Sequence, residues 1–167
     1  MVLFSALFPP ADVVSALRAD LSGVEAPAEL RWSEPDLWHV TLGFYGEDDP
    51  GPRGDWLAGR LAGRPAPTLR IQGAGAFSRV LYLGVYGDGL TELAVAAGAG
   101  QERPYLPHLT VARSRADVPA GLPRSLAGFA SREWAATEVV LMRSDRTAEG
   151  PRYAVLRRFG LESGQAR

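Results

Sequence analysis

Apolar and polar positions follow two different periods along the chain. Residues 2 to 8, VLFSALF, are an apolar run suited to a buried strand. In PPADVVSALRADLSG the prolines stand at a helix start, Val13, Val14, Leu17 and Leu21 recur on one helical face, and Gly23 is a stop. After EAPAEL the chain reads RWS and then PDLWHVTLGFYG, whose alternation predicts a half-buried strand. GEDDPGPRG is a dense turn signal ahead of a short helix near residues 53 to 63. TLRIQGAGAFS and RVLYLGVYG predict two strands joined around Ser78-Arg79, and GLTELAVAAGAG a helix weakened by its glycines. PYLPHLTVAR predicts a further strand, and ADVPAGLPRSLAGF an irregular or briefly helical stretch. EWAATEVVLMRSD and PRYAVLRRFGL predict a hairpin across RTAEG, followed by a disordered tail over residues 162–167.

Strands and helices alternate without a long parallel βαβ pattern, which predicts a mixed α+β fold. One order of elements occurs twice. An apolar strand, a helix and a strand containing His-x-Thr appear as VLFSALF, the helix after PP, and WHVTL; they return as VLYLGVY, the helix after GDG, and PHLTV. The echo predicts two lobes related by a pseudo-twofold axis. No Pro/Gly-rich stretch is long enough for a flexible linker, so residues 1–161 are read as one bilobal domain.

Composition narrows the chemistry. With 167 residues, 46% of them hydrophobic and 22% charged, the chain suits a soluble globular domain. No apolar run approaches the roughly 18–20 residues that cross a bilayer. The opening MVLFSALFPP lacks the basic leader and apolar length of a signal peptide, so a cytoplasmic location and no membrane partner are expected. Cysteine is absent, which removes disulfides, thiolate nucleophiles and cysteine-ligated zinc. All 18 basic residues are arginine, so a ligase working through a lysine–nucleotide adduct is excluded. The net charge of −1 argues against binding along a duplex; any nucleic acid would be recognised locally, at an end or a single nucleotide.

The only two histidines, His39 and His108, each head a copy of His-x-Thr. Residues two apart in a strand share a face. His39 and Thr41 therefore lie together, opposite Val40, Leu42 and Phe44, while His108 and Thr110 lie opposite Leu109 and Val111. Pairing the lobes would bring both polar faces to one cleft. Such a cleft suits attack on phosphorus: one neutral imidazole takes a proton from water, and the other, protonated, donates to the departing alkoxide. Threonine hydroxyls can hold non-bridging oxygens, and a guanidinium can neutralise developing charge. Two histidines without a carboxylate cluster make a poor metal site.

HVTL at 39–42 and HLTV at 108–111 resemble the paired motifs of the 2H phosphoesterase superfamily, and within it the RNA 2′,3′-cyclic phosphodiesterases, historically called 2′-5′ RNA ligases. The FPP after the first strand, RW at 31–32, the block HVTLGFYG, LYLGV, PHLTVAR and the closing Ser144 and Tyr153 extend the resemblance over residues 2 to 161. It implies two lobes, each an antiparallel sheet with outer helices, around a cleft holding both motifs, with no metal and no nucleotide cofactor. It implies hydrolysis of a 2′,3′-cyclic phosphate to a 2′-phosphate by a monomer acting on RNA 3′ ends or small cyclic nucleotides. His39 would be the acid and His108 the base, although pseudo-symmetry permits the exchange. Thr41 and Thr110 would hold phosphate oxygens, joined by Arg113, whose parity opposes His108 unless a twist or strand end turns it inward. Phe44 or Tyr45 would stack the base, against a reading of either as packing. Arg79, Arg103 and Arg143 are a possible path for an RNA end or solvated surface. The alternatives are a non-catalytic RNA-end or nucleotide-binding module on the same fold, or the same chemistry on ADP-ribose cyclic phosphate or a 2′-5′ oligoadenylate.

Overall fold

A computed structural model describes residues 1–163. The first strand, β1 (Val2–Leu7), is buried on both faces, as its apolar run requires. Leu3 and Leu7 join the main core, whereas Phe4 and Ala6 face a smaller cluster with Val140 and Met142. Helix α1 (Ala11–Ser22) follows Pro10 and buries Val13, Leu17 and Leu21, with Gly23 at its C-cap. A short strand, β2 (Leu30–Trp32), and a 3-10 turn at Pro35–Leu37 lead into β3 (Val40–Glu47). Helix α2 (Pro50–Leu61) begins earlier than its periodicity suggested, because the Asp49 side chain accepts from the Gly51 N–H and Pro50 suits the first helical position.

The second half contains β4 (Thr68–Phe77), β5 (Val80–Tyr86), helix α3 (Leu90–Ala96), β6 (His108–Ser114) and a short helix α4 (Gly121–Ser125). It closes with β7 (Trp134–Ala135), β8 (Glu138–Thr147) and β9 (Gly150–Gly160). The residues EWAA do not extend β8; Trp134 and Ala135 pair instead with Leu69 and Thr68 of β4. The last hairpin is tighter than RTAEG implied, because Arg146 and Thr147 still pair with Pro151 and Gly150. Glu162, expected in the tail, bridges Pro65 and is bonded to the backbones of Arg64 and Ala66. Residues 164–167 of that tail lie outside the described residues.

Antiparallel strands run in the order β7-β4-β5-β6-β3-β1-β8-β9, with β2 added to β6. The order divides into two blocks: β6-β5-β4-β7, built from the later part of the chain, and β3-β1-β8-β9, in which the first strands are joined by the C-terminal hairpin. The blocks meet through a single residue pair, Val40 opposite Leu109, both fully buried. Each of these residues immediately follows a histidine, so the joint between the halves lies beside both motifs. Among the described residues no helix is long and apolar enough to cross a membrane.

Candidate active site

An antiparallel register that sets Val40 opposite Leu109 places His39 across from Thr110 and Thr41 across from His108. All four line one cleft of about 570 Å³. The two imidazoles are held in the same way. His39 Nδ1 donates to the Leu37 carbonyl at 2.6 Å, and His108 Nδ1 donates to the Leu106 carbonyl at 2.8 Å, in each case two residues upstream. Since a carbonyl only accepts, each Nδ1 carries a proton, and Nε2 is left for the cleft. His39 Nε2 lies 3.1 Å from Thr41 Oγ1.

The rings sit in different surroundings. His39 packs against Phe4, Phe8 and Tyr153, with centroids 5.1–5.6 Å away. His108 is the more open ring and meets the edges of Phe77 and Tyr82 at 5.4 and 5.5 Å. Burial lowers the His39 pKa below its usual 6.5; the Leu37 bond opposes this, and the charges of His108 and Arg113 add to it. Free of ligand, His39 therefore gives up its proton more readily than an exposed imidazole.

Simple alternation fails just beyond each motif, for the same reason in both halves. Phe4 pairs with Phe44 and Ala6 with Thr41, so Leu42 and Gly43 together oppose Ser5 alone. On β6, Leu81 pairs with Ala112 and Tyr82 with Thr110, which leaves Val111 extra. Each bulge puts two consecutive residues in the interior and reverses the parity that follows. Phe44, five residues after His39, thereby turns into the cleft and is 70% exposed; Arg113, five residues after His108, turns in likewise. The Arg113 charge bears on both His39 and Tyr153, which belong to the β3-β1-β8-β9 block.

Tyr45 does not belong to the cleft. Next to Phe44 in the strand, it points to the opposite, core-side face, where its hydroxyl donates to the Ala97 carbonyl at 2.6 Å and meets Ser5 Oγ at 2.8 Å. Burial pushes its pKa up to about 12. Ser5, fully buried, also accepts from the Gly43 N–H at 3.0 Å, so it satisfies a backbone donor within the bulge. Arg79, Arg103 and Arg143 are likewise absent from the cleft lining; Arg143 bonds Asp145 at 3.0 Å.

Alternation along the two motifs did not reveal the remaining walls. Arg31, Trp32, Ser33, Glu34 and Leu37 form one side, and Ser144, Glu149, Pro151 and Tyr153 the other. RW and the Ser144/Tyr153 pair were visible as features of the resemblance, and Ser144 is in fact the register partner of Tyr153. Tyr105 was not visible at all; its hydroxyl donates to the Thr41 carbonyl at 2.6 Å and ties the approach to the second motif onto the first. Among the described residues no three His, Cys, Asp or Glu side chains cluster as metal ligands.

Comparison with known proteins follows the same lines. Residues 7–87 match the family model described as LigT-like phosphoesterase. The chain is 33% identical to the RNA 2′,3′-cyclic phosphodiesterase of Thermus thermophilus, over 100% of this chain and 93% of that one. It is 31% identical to the RNA 2′,3′-cyclic phosphodiesterase of Methanothermobacter thermautotrophicus, over 92% and 97%. A crystal structure of E. coli LigT without ligand superposes with a TM-score of 0.78 at 28% identity, covering 96% of both chains.

Proposed function

This chain belongs to the LigT-like phosphoesterase family, and on that premise we propose that it hydrolyses 2′,3′-cyclic phosphate at RNA 3′ ends or on small nucleotides, leaving a 2′-phosphate. The observation that carries the reading is the matched pair of imidazoles in one cleft, each with Nδ1 anchored to a carbonyl so that Nε2 is the nitrogen left for chemistry, that of His39 beside the Thr41 hydroxyl.

In the reaction His108 Nε2 takes a proton from water as the water oxygen bonds to phosphorus. The P–O3′ bond breaks, and His39 Nε2 delivers its proton to O3′. The products are a 2′-phosphomonoester and a free 3′-hydroxyl, and the two imidazoles have exchanged protonation states. Thr41 and Thr110 donate to the non-bridging oxygens, and Arg113 offsets the charge that grows on them. Each proton-transferring imidazole is typically worth about 10²- to 10⁴-fold in rate. His39 needs a proton that burial disfavours in the free protein; the bound phosphodiester anion supplies the opposing charge that restores it. Phe44, projecting into the cleft five residues after His39, offers a face for the base. A 5′-hydroxyl entering in place of water would close a 2′-5′ linkage through the same proton transfers. The chemistry calls on no metal, and the protein is expected to act as a cytoplasmic monomer.

The test is incubation with RNA ending in 2′,3′-cyclic phosphate in the presence of EDTA, with mapping of the product. A 2′-phosphate formed at an undiminished rate is expected. A 3′-phosphate would reverse the orientation, loss of activity on chelation would overturn the metal-free mechanism, and binding without turnover would favour a recognition module.

A further inference from the structure

Arg31 and Arg113 stand directly opposite each other in the β2–β6 pairing. Opposed residues of an antiparallel pair project from the same face, rooted about 4.5–5.5 Å apart, and both arginines line the cleft. Among the described residues neither forms an ion pair; the arginines that do are 53, 132, 143, 157 and 158. Like charges set opposite one another destabilise a sheet, so this pair does not serve the fold. It makes a positively charged stretch of wall that an anion would relieve.

The two charges are not equivalent. Arg113 acts on His39 and Tyr153, whereas Arg31 is not among the charges that shift either group. Arg113 lies on β6, three residues after Thr110, whereas Arg31 lies on the added strand β2, next to Trp32 and Ser33 in the lining. We propose that Arg31 binds a second phosphate, carried on the 5′ oxygen of the nucleotide whose cyclic phosphate sits between the histidines. The proposal rests on the hydrolase reading above and sharpens its substrate: a 5′-phosphorylated terminus, in an RNA strand or a free nucleotide, over a bare nucleoside cyclic phosphate.

The test compares wild type with Arg31→Gln on three substrates: adenosine 2′,3′-cyclic phosphate, its 5′-phosphorylated form, and a short oligoribonucleotide ending in 2′,3′-cyclic phosphate. The ratio of kcat/KM for either 5′-phosphorylated substrate to that for the unphosphorylated one should fall about 10- to 100-fold, the worth of a charge-assisted contact. On the oligonucleotide the slope of log kcat/KM against log salt should flatten by about 0.7. A fall for the oligonucleotide and the free nucleotide alike supports the phosphate itself as the ligand; a fall for the oligonucleotide alone supports the same contact made within a strand. Arg113→Gln should lower all three substrates together. An unchanged ratio, through equal losses or none, would overturn the proposal. Calorimetric binding separates it from the hydrolase reading, because it needs no turnover. Arg31→Gln should weaken adenosine 3′,5′-bisphosphate relative to adenosine 3′-monophosphate by a similar factor, and equal weakening of both would again overturn it. The variant should melt no lower than wild type, since the substitution removes a repulsion.

Discussion

The bulge that turns Phe44 into the cleft depends on a glycine, and replacing Gly43 by alanine tests that dependence. A Cβ at Gly43 would overlap the Ala97 carbonyl oxygen and lie 2.7 Å from Tyr45 Oη and 2.9 Å from Tyr45 Cε1. The backbone oxygen cannot yield without moving the end of α3, and the tyrosine hydroxyl is committed to both Ala97 and Ser5. Overpacking of this kind costs about 1–3 kcal/mol. Disturbing the two tyrosine bonds adds about 0.5–1.5 kcal/mol each, against about 0.4–1 kcal/mol gained by restricting the unfolded chain. Gly43→Ala should therefore destabilise by about 1–5 kcal/mol in urea denaturation, or about 2–20 °C in melting temperature. Thr41 and Phe44 flank the bulge, so kcat/KM should fall as well. Gly59→Ala is the control: it lies within α2, a Cβ there meets nothing within 4 Å, and it should stabilise by about 0.5–1 kcal/mol. A Gly43→Ala protein within about 0.5 kcal/mol of wild type would refute the close-packed bulge.

Three other outcomes follow from the site. Because burial lowers the His39 pKa and substrate charge raises it, the alkaline limb of kcat should lie at higher pH than that of kcat/KM; coincident limbs would remove His39 as the acid. The same depression means that the unfolded chain binds the His39 proton more readily. Its contribution to stability is thus full above about pH 6.5 and lost as pH falls toward the folded value, and His39→Gln should flatten the urea midpoint over that range. Tyr45→Phe should cost about 1–3 kcal/mol of stability while leaving KM within about twofold, since the hydroxyl anchors Ala97 and faces away from the cleft; a large KM change would return Tyr45 to the substrate. Phe44→Ala should raise KM for nucleotide substrates about 5- to 100-fold, the range of a base–aromatic stack, with a smaller effect on kcat.

The residues assigned to the chemistry were legible because strand parity is strict over three positions. His39 with Thr41 and His108 with Thr110 could be assigned to a face from spacing alone, and the structure brings all four to one cleft. Parity failed beyond them, at Phe44 and Arg113, where a bulge in each strand inserts an extra residue that no local pattern announces. Arg113 entered through the resemblance, and Phe44 as a stacking candidate or packing; the structure brings both to the cleft lining against the periodicity. Of the two readings open for Tyr45, stacking or packing, the structure supports packing, because its polar tip finds partners in Ser5 and Ala97, 40 and 52 residues away in sequence. RW was visible at 31–32 but not the pairing of Arg31 with Arg113, and Tyr105 was not visible at all, because an arginine in a three-residue strand and a tyrosine in a loop take their places from strands they meet only on folding. The alternation of strands and helices conveyed the α+β class, but not that the two sheet blocks are joined in register by the one pair Val40 and Leu109.

The most direct test of the account is single-turnover hydrolysis of a 2′,3′-cyclic phosphate RNA end by wild type, His39→Gln, His108→Gln and the double variant, each first shown to unfold cooperatively. The account predicts a loss of about 10²- to 10⁴-fold for each single variant, and a double-variant loss well short of the product of the two, as expected for groups acting as a unit. Turnover by the folded double variant within about tenfold of wild type would contradict it.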